Sequence, residues 1–109
     1  MKLPGADRVR IDEQKVRDYL LFGTHPVGRF KARVFAALGF EEGNAQSFVS
    51  ELRRIAASGE VVRVEDTEFG RKYTVPGDLK GSAGSAQVLT VWIQEAGQGE
   101  VRLVTVSPR

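Results

Sequence analysis

His25 is the only imidazole in this chain, and it stands in "THPVGRFKARVFAALGF", Thr24 to Phe40, immediately before a basic and then apolar run. An imidazole can take or give a proton near neutral pH. Here it sits in a loop just ahead of a helix start, where free N–H groups and the helix dipole favour an anion. A phosphate at that position would also meet Arg29 and Lys31. Arg29 and Arg33, four residues apart, share one side of the expected helix. In the last strand, Arg102 and Thr105 are candidates to hold a phosphate. Their strand parity differs, so both reach one ligand only if the strand is bulged or strongly twisted. Lys80, in a Gly/Ser-rich connection, can border a groove. Trp92 shares its expected strand face with Thr90 and Gln94 rather than with Leu89, Val91 and Ile93, and an exposed Trp can stack on a base. A plainer account fits the same residues: a His that caps or packs, a solvated cationic helix side, and a Trp covering the core edge.

Other chemistries find less support. The chain has no Cys, so it has no disulfide, thiolate metal site or Cys nucleophile. One His and scattered carboxylates give no recognisable metal-ligand spacing, and no cofactor is expected. Many Ser residues and one His do not make a triad. "GDLKGSAGSAQ" is a poor phosphate loop, because no Lys-Ser/Thr pair follows it and its flanks read as strands.

These groups need elements to position them. The chain's 109 residues fit a single domain over 1–109, and 41% hydrophobic content is enough for a real core. "RIDEQKVRDYLLFG" reads as a helix capped by Asp12, with Ile11 and Val16 as a staple, Val16, Tyr19 and Leu20 on one face and Gly23 as its end. A second helix runs from about 26 or 28 to 38, with Phe30, Val34, Phe35 and Leu38 inward and Gly39 as its stop. A third, "NAQSFVSELRRIAASG", is capped by Asn44 and stopped by Gly59, with a stripe of Ala45, Phe48, Val49, Leu52, Ile55 and Ala56. The period then changes to two. "EVVRVED" and "RKYTVPG" read as strands joined near Thr67–Gly70, and "QVLTVWIQEA" and "EVRLVTVS" as a hairpin turning at "GQG". "GDLKGSAGSA" reads as the flexible connection between the pairs. The expected fold is α+β: three N-terminal helices (about 11–58) on one face of a roughly four-stranded antiparallel sheet (about 60–107). Phe35, Leu38, Phe48, Leu52, Leu89, Val91 and Ile93 are expected to be buried.

Charge is unevenly placed. Residues 1–40 carry 8 Lys/Arg against 4 Asp/Glu, net +4, while residues 41–109 carry 8 against 10, net −2. The N-terminal half is therefore the expected contact for a polyanion. No apolar run approaches the ~18 residues of a membrane span, and "MKLPGADRVR" lacks an apolar signal core. The chain reads as cytoplasmic, or as a module delivered by other means.

Taken together, "LPGADRVRID", "KVRDYLL", "HPVGRFKARVFAALGF", "GRKYTV" and "VWIQ…VRLVTV" resemble a small bacterial domain family of unassigned function. The same order of elements is similar to C-terminal domains of polymorphic toxins grouped with the barnase–EndoU–RelE-like ribonucleases. The residues matching the pattern are Lys15, His25, Gly28, Lys31, Ala32, Phe35, Trp92, Arg102 and Thr105. What the resemblance implies is a metal-independent endoribonuclease cleaving RNA by 2′-OH transesterification. His25 would be its acid or base, Lys31 and Arg102 would stabilise the phosphorane, and Thr105 would position a phosphate oxygen. Lys15, Arg29, Arg33, Lys80 and Trp92 would contact RNA, and an immunity or antitoxin protein would be a partner. The alternative is a non-catalytic module that binds nucleic acid or protein and has no need of His25.

Overall fold

The change from helical to strand periodicity near Gly59 divides the molecule as it divides the sequence. The computed structural model describes the backbone of residues 1–17, 26–97 and 99–109, and their side chains except at 26–30 and 42. The elements run α1 (Glu13–Lys15), α2 (Pro26–Ala37), α3 (Ala45–Ser58), β1 (Arg63–Thr67), β2 (Gly70–Gly81), β3 (Gly84–Glu95) and β4 (Val101–Pro108). The four strands form one antiparallel sheet in the order β1-β2-β3-β4. The fold is α+β, as the order of periodicities requires.

Local chemistry accounts for the helix ends. The Asp12 carboxylate accepts the Lys15 backbone N–H at 3.2 Å and starts α1; Tyr19, Leu20 and Gly23 lie outside the described residues. After α2, Gly39 takes φ +100°, a left-handed conformation that glycine adopts without a Cβ penalty, and the Phe40 N–H returns to the Phe35 carbonyl at 3.0 Å. Gly59 stops α3, its N–H donating to Ile55 O at 2.8 Å. Asn44 precedes α3 but does not cap it with its side chain. Its amide instead accepts from the Glu41 N–H at 2.7 Å and donates to Gly39 O at 2.8 Å, so it ties the preceding turn together.

The α3 stripe of Ala45, Phe48, Val49, Leu52, Ile55 and Ala56 is buried throughout. It packs on β2 with Phe35 of α2 and with Leu38 just beyond that helix, and the ring centroids of Phe35 and Phe40 lie 5.0 and 5.1 Å from that of Phe48 in edge-on contacts. Gly77 lets α3 come close, since a Cβ there would stand 2.7 Å from Ile55 Cγ2.

Two expectations about the sheet are corrected. On β3 the core row is Val88, Thr90 and Trp92, while Leu89 and Val91 are only half-buried. The polar atoms of the core row satisfy one another: the Thr90 hydroxyl donates to Val75 O at 2.7 Å and accepts from Trp92 Nε1 at 2.8 Å. A Trp buries more surface than a Leu or Val, so its row faces the helices once its N–H has a partner. Ile93 is buried as expected, but on the opposite face, between its cross-strand neighbours Lys72 and Arg102. The second correction concerns "GDLKGSAGSA". It is not a flexible connection: β2 runs to Gly81, β3 starts at Gly84, and only Ser82 and Ala83 turn. Tertiary anchors outweigh the weak strand preference of Gly and Ser. Leu79 is fully buried, the Lys80 N–H donates to the Glu51 carboxylate at 2.7 Å, and the Ala83 N–H donates to Leu38 O at 3.0 Å.

Candidate active site

The edge strand β4 organises most of the candidate residues. A register shift against β3 sets Leu103 opposite Trp92 and Thr105 opposite Val91, leaving Val104 as the extra residue of a bulge. Because Arg102 lies opposite Ile93, the bulge places Arg102 and Thr105 on one face of the strand despite their differing parity. On the outer side of β4, Arg10 forms a parallel bridge with Arg102. The Arg10 N–H donates to Val101 O at 2.8 Å, and Arg10 O accepts the Leu103 N–H at 2.9 Å.

Beyond that bridge the helices take over. Lys15 of α1 donates through Nζ to Val104 O at 3.0 Å. Lys31 of α2 donates through Nζ to the Thr105 hydroxyl at 2.9 Å. Lys31 is only 8% exposed. Burial, and then the charge of Lys15, hold its pKa below the ordinary lysine value. Two amines and a hydroxyl from three elements thus meet beside the bulge.

A cleft of about 450 Å³ adjoins this cluster, lined chiefly by Arg10, Asp12, Lys15, Glu95, Glu100 and Arg102. Two ion pairs cross it: Arg102 Nε donates to Glu95 at 2.5 Å and Arg10 donates to Glu100 at 3.2 Å. Arg102 therefore turns toward the β3–β4 connection and away from Thr105. Neither Arg10 nor the two glutamates stood out in the sequence, because the bridge that sets Arg10 beside Arg102 and the ion pairs to Glu95 and Glu100 have no local signature.

The remaining candidates fall elsewhere. His25 lies outside the described residues, as does the Arg29 side chain. Arg33 is exposed on α2. Lys80 is exposed beside a separate groove of about 490 Å³ that also involves Phe40, Asn44, Ser47 and Glu51. Trp92 is 0% exposed and donates its indole N–H to Thr90, so it has no free face for a base. The expectation that it stacks on RNA is corrected by its burial. No helix among the described residues is long and apolar enough to cross a membrane.

A chain of a contact-dependent growth inhibition toxin–immunity protein complex from Klebsiella pneumoniae 342 is similar in structure, with a TM-score of 0.73 at 17% sequence identity over 91% of this chain and 98% of that one. At that identity the likeness is one of fold. No curated protein matches the sequence. The model of one family matches residues 2–109, and the chain belongs to that family, described as a domain of unknown function (DUF6883).

Proposed function

We propose that this chain is a toxin-related domain that cleaves RNA by 2′-OH transesterification beside the β4 bulge. The observation that carries the reading is the 2.9 Å hydrogen bond from the buried Lys31 to Thr105, with Lys15 alongside. A phosphodiester placed there would find two ammonium groups for its developing negative charge and a hydroxyl to orient an oxygen. His25 immediately precedes Pro26, the first residue of α2, and would complete the set as acid or base. In the reaction a base takes the 2′-OH proton and the 2′ oxygen attacks the adjacent phosphorus. The bond to the 5′ oxygen breaks, and an acid protonates that leaving oxygen. The products are a 2′,3′-cyclic phosphate and a 5′-hydroxyl. Lys31, with its lowered pKa, has more neutral amine than an ordinary lysine and can hold or release a proton there. The fold shared with a chain of a toxin–immunity complex supports the toxin-related part.

The test is cleavage of total cellular RNA with chelator present, by wild type and by His25→Ala, Lys31→Met and Thr105→Val. The expected result is cyclic-phosphate ends from the wild type and a loss of about 10²–10⁴-fold for His25→Ala, with large losses for the other two. A wild type that cuts nothing across a broad RNA panel refutes the enzyme reading. A second reading, a non-catalytic module for a protein partner, is favoured by the two ion pairs already formed across the cleft. It gains if the wild type leaves RNA intact and a co-expressed protein protects the cleft from chemical labelling.

A further inference from the structure

We propose that the cleft on the outer side of β4 is a second phosphate subsite, in which Arg10 and Arg102 take the phosphate neighbouring the scissile one. On this proposal Glu95 and Glu100 are carboxylates that the RNA backbone displaces. It rests on the RNA reading above. The backbone sets the two arginines side by side, since Arg10 and Arg102 are bridged residues on adjacent extended segments, roughly 4.8 Å apart. Guanidinium forks at that spacing suit the oxygens of a phosphodiester, which they bind through paired N–H donors. Both arginines already hold carboxylate oxygens, Arg102 that of Glu95 at 2.5 Å and Arg10 that of Glu100 at 3.2 Å. These contacts, each through one N–H, show that each arginine can present a donor to an anionic oxygen in the cleft.

Exposure decides whether exchange is feasible. The side chains of Arg102 and Glu95 are 44% and 43% exposed, and those of Arg10 and Glu100 are 70% and 53% exposed. Ion pairs so open to water contribute little, so a phosphate can replace the carboxylates at small cost. The separation along β4 argues for two phosphates rather than one. Three extended residues from Arg102 to Thr105 span about 10 Å, and Arg102 points toward Glu95, away from Thr105. Lys15 joins the two places, lining the cleft while its ammonium lies close enough to Lys31 to lower that group's pKa. A free monoanion meets the repulsion of Glu95 and Glu100 with this one contact, whereas a polyanion offsets it with its contacts elsewhere, which gives the site a preference for a continuous chain.

The test measures binding of a short 2′-O-methyl RNA, which lacks the attacking hydroxyl, by fluorescence anisotropy over a range of salt concentrations. Replacing Arg10 and Arg102 together by Gln should weaken binding about tenfold and make the slope of log K against log salt shallower by about 0.7, the contribution of one phosphate in a single strand. Glu95→Gln with Glu100→Gln should move the other way and bind more tightly, which a merely unfolded variant would not do. Arginine variants that bind like the wild type, glutamate variants that bind no more tightly, or a wild type that does not bind would each overturn the proposal. Cleavage of ordinary RNA separates the two readings. Arginine-dependent binding without cleavage sinks only the nuclease, whereas Lys31- and Thr105-dependent cleavage with indifferent arginine variants sinks only the subsite.

Discussion

Lys31 and Thr105 should differ in what their replacement costs, and the difference separates a functional buried charge from a structural strut. Thr105→Val keeps the branched shape and removes the hydroxyl that accepts from Lys31 Nζ at 2.9 Å. A hydrogen bond to a charged group contributes about 1.5–3 kcal/mol net. With Lys31 only 8% exposed, water is a poor substitute partner, so a loss of that size is expected. Lys31→Met roughly conserves volume and removes a charge that folding must desolvate. Its stability is expected to lie within about 1.5 kcal/mol of wild type. Urea titration near neutral pH ranks the two. A pH series adds a second readout. Lys31 has its pKa lowered by burial first and by Lys15 second. Between that depressed value and the ordinary lysine value the unfolded chain binds more protons than the native one, so wild-type stability should rise with pH through that window. Below the window the cost of burying the charge is fully present. In Lys31→Met this contribution to the rise should vanish. If Lys31→Met is the less stable variant, or if its pH dependence in the window matches the wild type, the lysine is a strut and the reasoning fails.

Thr90→Val leaves the Trp92 indole N–H without its acceptor inside the core and should cost about 1–3 kcal/mol in denaturant titration followed by Trp fluorescence. Phe48→Ala removes the ring that meets both Phe35 and Phe40 and should cost about 3–5 kcal/mol in urea; a loss under about 1 kcal/mol would show that this cluster is not the core's centre. Glu51 accepts from Arg54 Nε at 3.0 Å and from the Lys80 N–H at 2.7 Å. The Arg54 contact is the leading cause of its lowered pKa. The stability from that shift is fully present above the ordinary carboxylate pKa and is lost as pH falls through the lowered value. Acid titration of stability should therefore fall more steeply for wild type than for Glu51→Gln.

Much of this architecture is written in local pattern. The 3.6-residue stripe of α3, Asp12 at the start of α1, Gly39 and Gly59 at the helix ends and the two-residue period after Gly59 all act within a few residues of themselves. Backbone hydrogen bonding and side-chain burial then leave one economical layer arrangement. The candidate cations were legible as residue types. Which of them meet was not legible. Alternation on β3 defines two rows but not which row meets the helices; the row that does carries Trp92, whose indole N–H finds the Thr90 hydroxyl. The Gly/Ser stretch 77–86 became two strand ends and a tight turn because Leu79 is buried in the core, the Lys80 N–H is held by Glu51 of α3 and the Ala83 N–H by Leu38 O.

The α+β order, the helix stripes and the cationic character of the first forty residues can be read along the chain, because each depends on neighbours in it. Tertiary structure alone decided the β4 bulge, which needs β3 as a ruler, and the parallel bridge that lays Arg10 beside Arg102. It also decided the seating of Lys31 on Thr105, 74 residues away. Contacts of such separation are set by how the layers close on a shared core. No short-range periodicity encodes that closure, so the site emerges only when helices and edge strand are brought together.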